Sequence, residues 1–151
     1  MNGPTRRRLN TGLLVAPLAW VLRPATSATA EPTLEAAIAA WAGAATPRDD
    51  PRVVLEIAEL VENGNAVPVR VRVDHPMTPA AHVSEIALFN QRNPQRDVLR
   101  AHLGPHSGRA EVAARIRLAT SQRLVALARL NDGQVLQRHV DVLVTLAACI
   151  E

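Results

Sequence analysis

Val67, Val69, Val71 and Val73 alternate without a break with Pro68, Arg70, Arg72 and Asp74. On an extended strand, successive side chains point to opposite faces, so this stretch has one valine face to bury and one polar face to leave wet. A helix would spread the valines around its whole circumference, and β-branched side chains suit a pleated surface better than a helical one. The run therefore commits its part of the chain to a sheet with a core on one side. Pro68 lacks the amide proton a ladder needs, which predicts an edge position or a bulge near the start of the strand.

The same period organises most of the chain. Val53–Val61 reads as a strand that ends at the turn signal Asn63-Gly64. Pro76 and Pro79 mark a loop, and further strands are expected over Val83–Phe89, Asp97–Leu103, Val112–Leu118, Arg123–Leu130 and Val135–Leu146. Asn131-Asp132-Gly133 joins the last two as a hairpin. About seven closely spaced strands with turn residues between them predict an all-β domain, an antiparallel sandwich or barrel.

Ahead of the strands the period changes. Leu34, Ile38, Trp41 and Ala45 recur at helical spacing between Thr33 and Ala45, with Thr33 as N-cap and Pro47 as the stop. Further upstream, Arg6-Arg7-Arg8, the apolar run Leu13–Leu22 and Ala28-Thr29-Ala30 have the three parts of an export signal. The apolar run is half of the ~20 residues a membrane span requires, and Pro17 interrupts it, so no membrane span is expected. Thr5-Arg6-Arg7-Arg8-Leu9 is similar to a twin-arginine signal, with general secretion as the other route. Cleavage is expected after Ala30, which places the mature protein in the periplasm. The chain then divides into signal peptide 1–30, helix and linker 31–50, β-sandwich 51–146 and C-terminal tail 147–151.

Cleavage changes the charge. All 17 basic residues are arginine, against 14 acids, and four of the arginines (Arg6, Arg7, Arg8 and Arg23) lie in the signal. The mature chain keeps 13 arginines and all 14 acids, a formal charge of −1. A nucleic-acid reader would need a basic patch in the mature domain and aromatic stacking platforms, and the composition supplies neither.

Few constellations of reactive residues survive inspection. His75, His82, His102, His106 and His139 are scattered, and Gly104-Pro105 keeps His102 and His106 off a common helix face. A blue-copper arrangement would need a histidine and a methionine shortly after the cysteine, but only Ile150 and Glu151 follow Cys149. There is no Gly-x-Ser-x-Gly, and no base lies beside Cys149 in the sequence, so an enzyme is not expected, nor a metal or other cofactor. Cys149 is the chain's single cysteine. In an exported chain it is either a reactive thiol or an intermolecular partner. Its flanking residues are Ala147, Ala148, Ile150 and Glu151. The nearby carboxylates disfavour the thiolate, so activation would have to come from outside. From Leu146, three extended residues reach roughly 10 Å, enough to carry the thiol into another protein's active site.

Several segments occur here in an order that resembles the SoxY family of sulfur-carrier subunits. They are Glu62-Asn63-Gly64 before Val67-Pro68-Val69, Asn93-Pro94, Arg115-Ile116-Arg117-Leu118-Ala119, Asp132-Gly133, and Asp141-Val142-Leu143-Val144-Thr145-Leu146 running into a near-terminal cysteine. The resemblance implies an immunoglobulin-like antiparallel β-sandwich with a short N-terminal helix. It also implies a heterodimer with a SoxZ-like small subunit, and sulfur or thiosulfate held covalently on Cys149 in place of a cofactor. The client enzymes it implies are a cytochrome c complex, a sulfate thiohydrolase and a sulfur dehydrogenase. The family tail is Gly-Gly-Cys-Gly-Gly, whereas this chain has Ala147-Ala148-Cys149-Ile150-Glu151. Alanine and isoleucine are stiffer and bulkier than glycine. The alternative is a SoxY-like partner-binding module whose sulfur-carrying role is lost or changed.

Overall fold

The computed structural model of the protein describes residues 31–146. The sequence readings on residues 1–30 and on Ala147, Ala148, Cys149, Ile150 and Glu151 lie outside them.

Helix α1 spans Leu34–Ala42. The strands follow as β1 (Arg48–Asp49), β2 (Val53–Glu56), β3 (Leu60–Val61), β4 (Val67–Val73), β5 (Val83–Asn90), β6 (Asp97–His102), β7 (Ala110–Ile116), β8 (Gln122–Leu130) and β9 (Val135–Val144). They form a sandwich. One sheet has the order β1-β9-β8-β5-β6, with β3 also on β9, and the other has the order β2-β4-β7.

Strand β4 shows why the sheets face each other. Its four valines are buried and its proline and two arginines are exposed, in strict alternation. The valines pack with Val53, Leu55, Ile86, Leu88, Leu124 and Leu136 in one core between the sheets. β4 is the central strand of its sheet, so Pro68 needs a local reason to be there. Pairing with β2 ends at Arg70 opposite Glu56, and at Pro68 only β7 lies alongside, through Arg115. The proline thus occupies a locally open edge of a central strand.

The helix packs on the outer face of the larger sheet. Thr33 caps it, accepting a hydrogen bond from the Ala36 amide at 3.2 Å. The expected stop at Pro47 is corrected: the helix ends at Ala42, because Gly43 takes a positive φ of 66° that favours glycine. Leu34 and Trp41 pack against Ala87, Phe89, Val125, Leu127 and Val135. Trp41 meets Phe89 edge to face, with ring centroids 6.3 Å apart. Its indole N–H donates to Glu85 Oε1 at 2.8 Å, and the Arg129 guanidinium lies 4.4 Å from the ring centroid.

The hairpin at Asn131-Asp132-Gly133 forms as expected. Gly133 has φ 87°, and its amide donates to the Leu130 carbonyl at 3.0 Å.

The stretch Val53–Val61 departs from the sequence reading. It is two strands, not one: β2 belongs to the smaller sheet and β3 to the larger. Asn63-Gly64 therefore turns the chain without closing a hairpin, since β3 pairs with β9 and β4 pairs with β2 and β7. Both two-residue strands, β1 and β3, run parallel to β9, so the larger sheet is not purely antiparallel.

Asp50 holds the corner where the chain passes from β1 to β2. Its amide donates to the Gln137 carbonyl at 3.1 Å, and its carboxylate accepts from Arg52 Nε and Nη2, both at 2.9 Å. The Arg52 bonds pull the Asp50 carboxyl down to about 2. A carboxylate with a depressed folded-state pKa stabilises the fold above its unfolded value of roughly 4 and loses that contribution as the pH falls towards 2. Asp50→Asn is expected to lower stability by about 1 kcal/mol at pH 7, with the difference from wild type shrinking below about pH 4 and lost as the pH falls through about 2. Urea titrations at several pH values read both effects.

Candidate functional site

The candidate site is the end of strand β9, the last described stretch before Cys149 in the sequence. Strand β9 brings the chain there, and hydrogen bonds from three directions fix its end. On one edge, the Leu143 amide donates to the Glu59 carbonyl at 2.7 Å and the Thr145 amide to the Val61 carbonyl at 3.0 Å. The Thr145 hydroxyl adds a bond to the Glu62 carbonyl at 3.2 Å. On the other edge, the Val144 amide donates to Ser121 Oγ at 2.9 Å. Past the strand, the Leu146 carbonyl accepts from the Gly64 amide at 2.9 Å. The Gly64 carbonyl in turn accepts from the Leu118 amide at 2.8 Å, so this one residue links Leu146 to the β7–β8 loop. The turn holding Gly64 is itself set by Asn63, whose Oδ1 accepts from the Asn65 amide at 2.9 Å.

The β7–β8 loop is rigid because buried amides tie it down. The Asn93 side chain donates to the Arg117 carbonyl at 2.7 Å and accepts from the Ala119 amide at 2.9 Å and Gln122 Nε2 at 2.8 Å. Asn90 Oδ1 accepts the Asn93 amide at 2.8 Å. Asn90, Asn93 and Gln122 are the buried polar residues among those described, and no buried side-chain polar atom among them is left without a partner. This network makes Leu118 and Ser121 fixed points against which the end of β9 is held.

The charges around the base are largely spoken for on one side and open on the other. Arg123 grips Asp141 across β8 and β9 with two bonds of 2.8 and 2.9 Å, which lowers the Asp141 carboxyl and raises the Arg123 guanidinium. Glu59 and Glu62 are exposed and form no salt bridge among the described residues.

Of the sequence-derived site residues, Cys149 and its neighbours Ala147, Ala148, Ile150 and Glu151 lie outside the described residues. What the fold supplies is the fixed point from which they start. The histidines are not brought together: His75 Nδ1 lies 3.5 Å from Arg52, and His82 Nδ1 lies 3.1 Å from the Thr78 carbonyl. Among the described residues, no three His, Cys, Asp or Glu side chains are grouped to hold a metal ion. Sequence reasoning missed Ser121 and the bridging part played by Gly64. A serine before a strand is a common turn residue, and nothing local marks it as a clip for a strand end 23 residues away.

Comparison with known proteins adds three findings. A family model described as sulfur oxidation protein SoxY matches residues 38–149, so its last matched position is Cys149. The structure of the sulfur carrier protein SoxY from Chlorobium limicola f thiosulfatophilum superposes with a TM-score of 0.65 at 27% identity, covering 76% of this chain and 97% of that one. A superoxide reductase (neelaredoxin) from Ignicoccus hospitalis has a TM-score of 0.56 at 22% identity, covering 61% of this chain and 79% of that one, and shares the fold alone. A search of curated proteins gave no match.

Proposed function

The chain belongs to the SoxY family of sulfur oxidation proteins, and from that premise we propose that it is a periplasmic carrier holding sulfur covalently on Cys149. It is presented to enzymes and is not itself one. The observation that carries the reading is a family match ending on Cys149, three residues beyond a carbonyl pinned to Gly64. A thiol on a short arm from a rigid base can visit several active sites in turn.

The loading step is an oxidation. The Cys149 thiol and thiosulfate form a sulfur–sulfur bond, giving the S-thiosulfonate, one proton and two electrons. The electrons pass to a cytochrome c complex acting as the loading enzyme. A sulfate thiohydrolase then adds water to the terminal sulfonate and releases sulfate, leaving a persulfide on Cys149 for a sulfur dehydrogenase. In the proposed assembly a SoxZ-like small subunit is the stable partner. The thiol needs no base in its own chain, since each client brings the activating groups with it.

Intact-mass analysis of protein from thiosulfate-grown cells tests this reading. The expected species begins at Glu31, after cleavage at Ala30, and carries a sulfur or thiosulfate adduct on Cys149. Reductant should remove adducts attached through a disulfide-type bond. Protein that never acquires an adduct beside its cognate enzymes would instead be a partner-binding module, a reading to which the Ala147-Ala148-Cys149-Ile150-Glu151 departure from glycine would then belong.

A further inference from the structure

Three large apolar side chains among the described residues are strongly exposed: Leu60 at 60%, Leu143 at 57% and Leu146 at 61%. A single exposed leucine is ordinary on a protein surface. Here all three fall at one place, the base of the Cys149 segment. Leu60 and Leu143 are register partners in the β3–β9 pair, and Leu146 follows three residues after Leu143. The fold does not need them for its core, because their strand neighbours Val61 and Val144 already pack inward. Glu59 and Glu62, both exposed, border the leucines in sequence.

The tether length identifies what should cover this patch. Leu146 is held by Gly64, and Thr145 by Val61, so the arm starts at Leu146 and cannot lengthen without breaking those bonds. Three residues extend at most about 10 Å. An enzyme that processes sulfur on Cys149 in a recessed site must therefore bring its rim onto the base of the arm. Resting on the carrier reading above, we infer that Leu60, Leu143 and Leu146 form the docking collar for the mouth of the enzyme that loads Cys149. That mouth carries an apolar ring, with basic groups facing Glu59 and Glu62.

The test uses the mature chain with its small subunit and the purified host enzyme that couples thiosulfate to the carrier, with adducts read by intact mass. Tetrathionate serves as an enzyme-free control. The Cys149 thiolate attacks one of its central sulfurs, takes the S-thiosulfonate group and expels thiosulfate, so the same adduct forms without docking. For the double variant Leu60→Gln/Leu143→Gln, the KM for carrier should rise about tenfold or more with kcat unchanged. The rate with tetrathionate and the affinity for the small subunit should stay at wild-type values. Cys149→Ser should compete with wild-type carrier for the enzyme, and adding the two glutamines should remove that competition. An unchanged KM overturns the inference. So does a KM rise accompanied by lost small-subunit binding, which gives the patch to that subunit, or by slowed tetrathionate reaction, which gives the leucines a role in the fold. Loading of wild type with no effect of the leucines sinks only the docking collar. Absence of enzymatic loading in wild type, with tetrathionate still reacting, sinks the carrier reading and the collar with it.

Discussion

Cys149→Ser is expected to abolish sulfur loading completely while leaving the domain intact. A hydroxyl cannot form the sulfur–sulfur bond that retains thiosulfate, so the loss is of kind and not of degree. Nothing in the described fold depends on the thiol: the core, the amide network and the strand-end bonds are all made by residues up to Leu146. The variant should therefore match wild type in thermal unfolding and in binding the small subunit. It should show no adduct by mass and no thiosulfate oxidation in a reconstituted mixture. Sulfur oxidation at the wild-type rate by the serine variant would place the chemistry somewhere other than Cys149.

The largest expected effect on stability belongs to Asn93→Leu. Leucine keeps asparagine's branching at the γ position but makes none of its bonds, and its methyl groups are bulkier than the amide they replace. It would leave the Arg117 carbonyl and the Ala119 amide without their partner, and Gln122 Nε2 with the Thr120 carbonyl alone, at a largely buried position. Leaving a buried polar group unpaired costs about 1–3 kcal/mol and overpacking costs about as much, and partial relaxation makes these losses less than additive. A total of about 3–5 kcal/mol is expected, a large share of the ~5–15 kcal/mol that holds a domain of this size together. Chemical denaturation measures the loss. The effect should also reach the functional end of the molecule. Ser121 clips Val144 and Leu118 holds Gly64, so a loosened β7–β8 loop frees the base of the arm. Hydrogen exchange at Val144 should accelerate more than exchange at Val71 in the opposite sheet, beyond what the global loss of stability accounts for. Uniform acceleration would show that the network stabilises the domain without positioning the arm.

The sequence carried what neighbouring residues can encode. The valine alternation from Val67 to Val73 became the buried face of β4 with no residue out of phase, because the period of two is a property of the extended chain itself. Thr33 as a helix cap and Asn131-Asp132-Gly133 as a hairpin depend on hydrogen bonds a few residues long, and both formed. The lone Cys149 stood out in the sequence as soon as the cysteines were counted. Its attachment did not. Only the tertiary structure decided that Val53–Val61 would break between two sheets, that Leu60–Val61 would run parallel to the end of β9, and that Gly64 would hold the Leu146 carbonyl. A two-residue strand has no period to read. Its pairing is selected by the edge β9 leaves open and by Val61 fitting the core, contacts that join residues 83 apart, such as Glu62 and Thr145. Asn93 belongs to the same class: in the sequence it is a turn residue before a proline, and burial beneath a distant loop is what lets it tie the β7–β8 loop down.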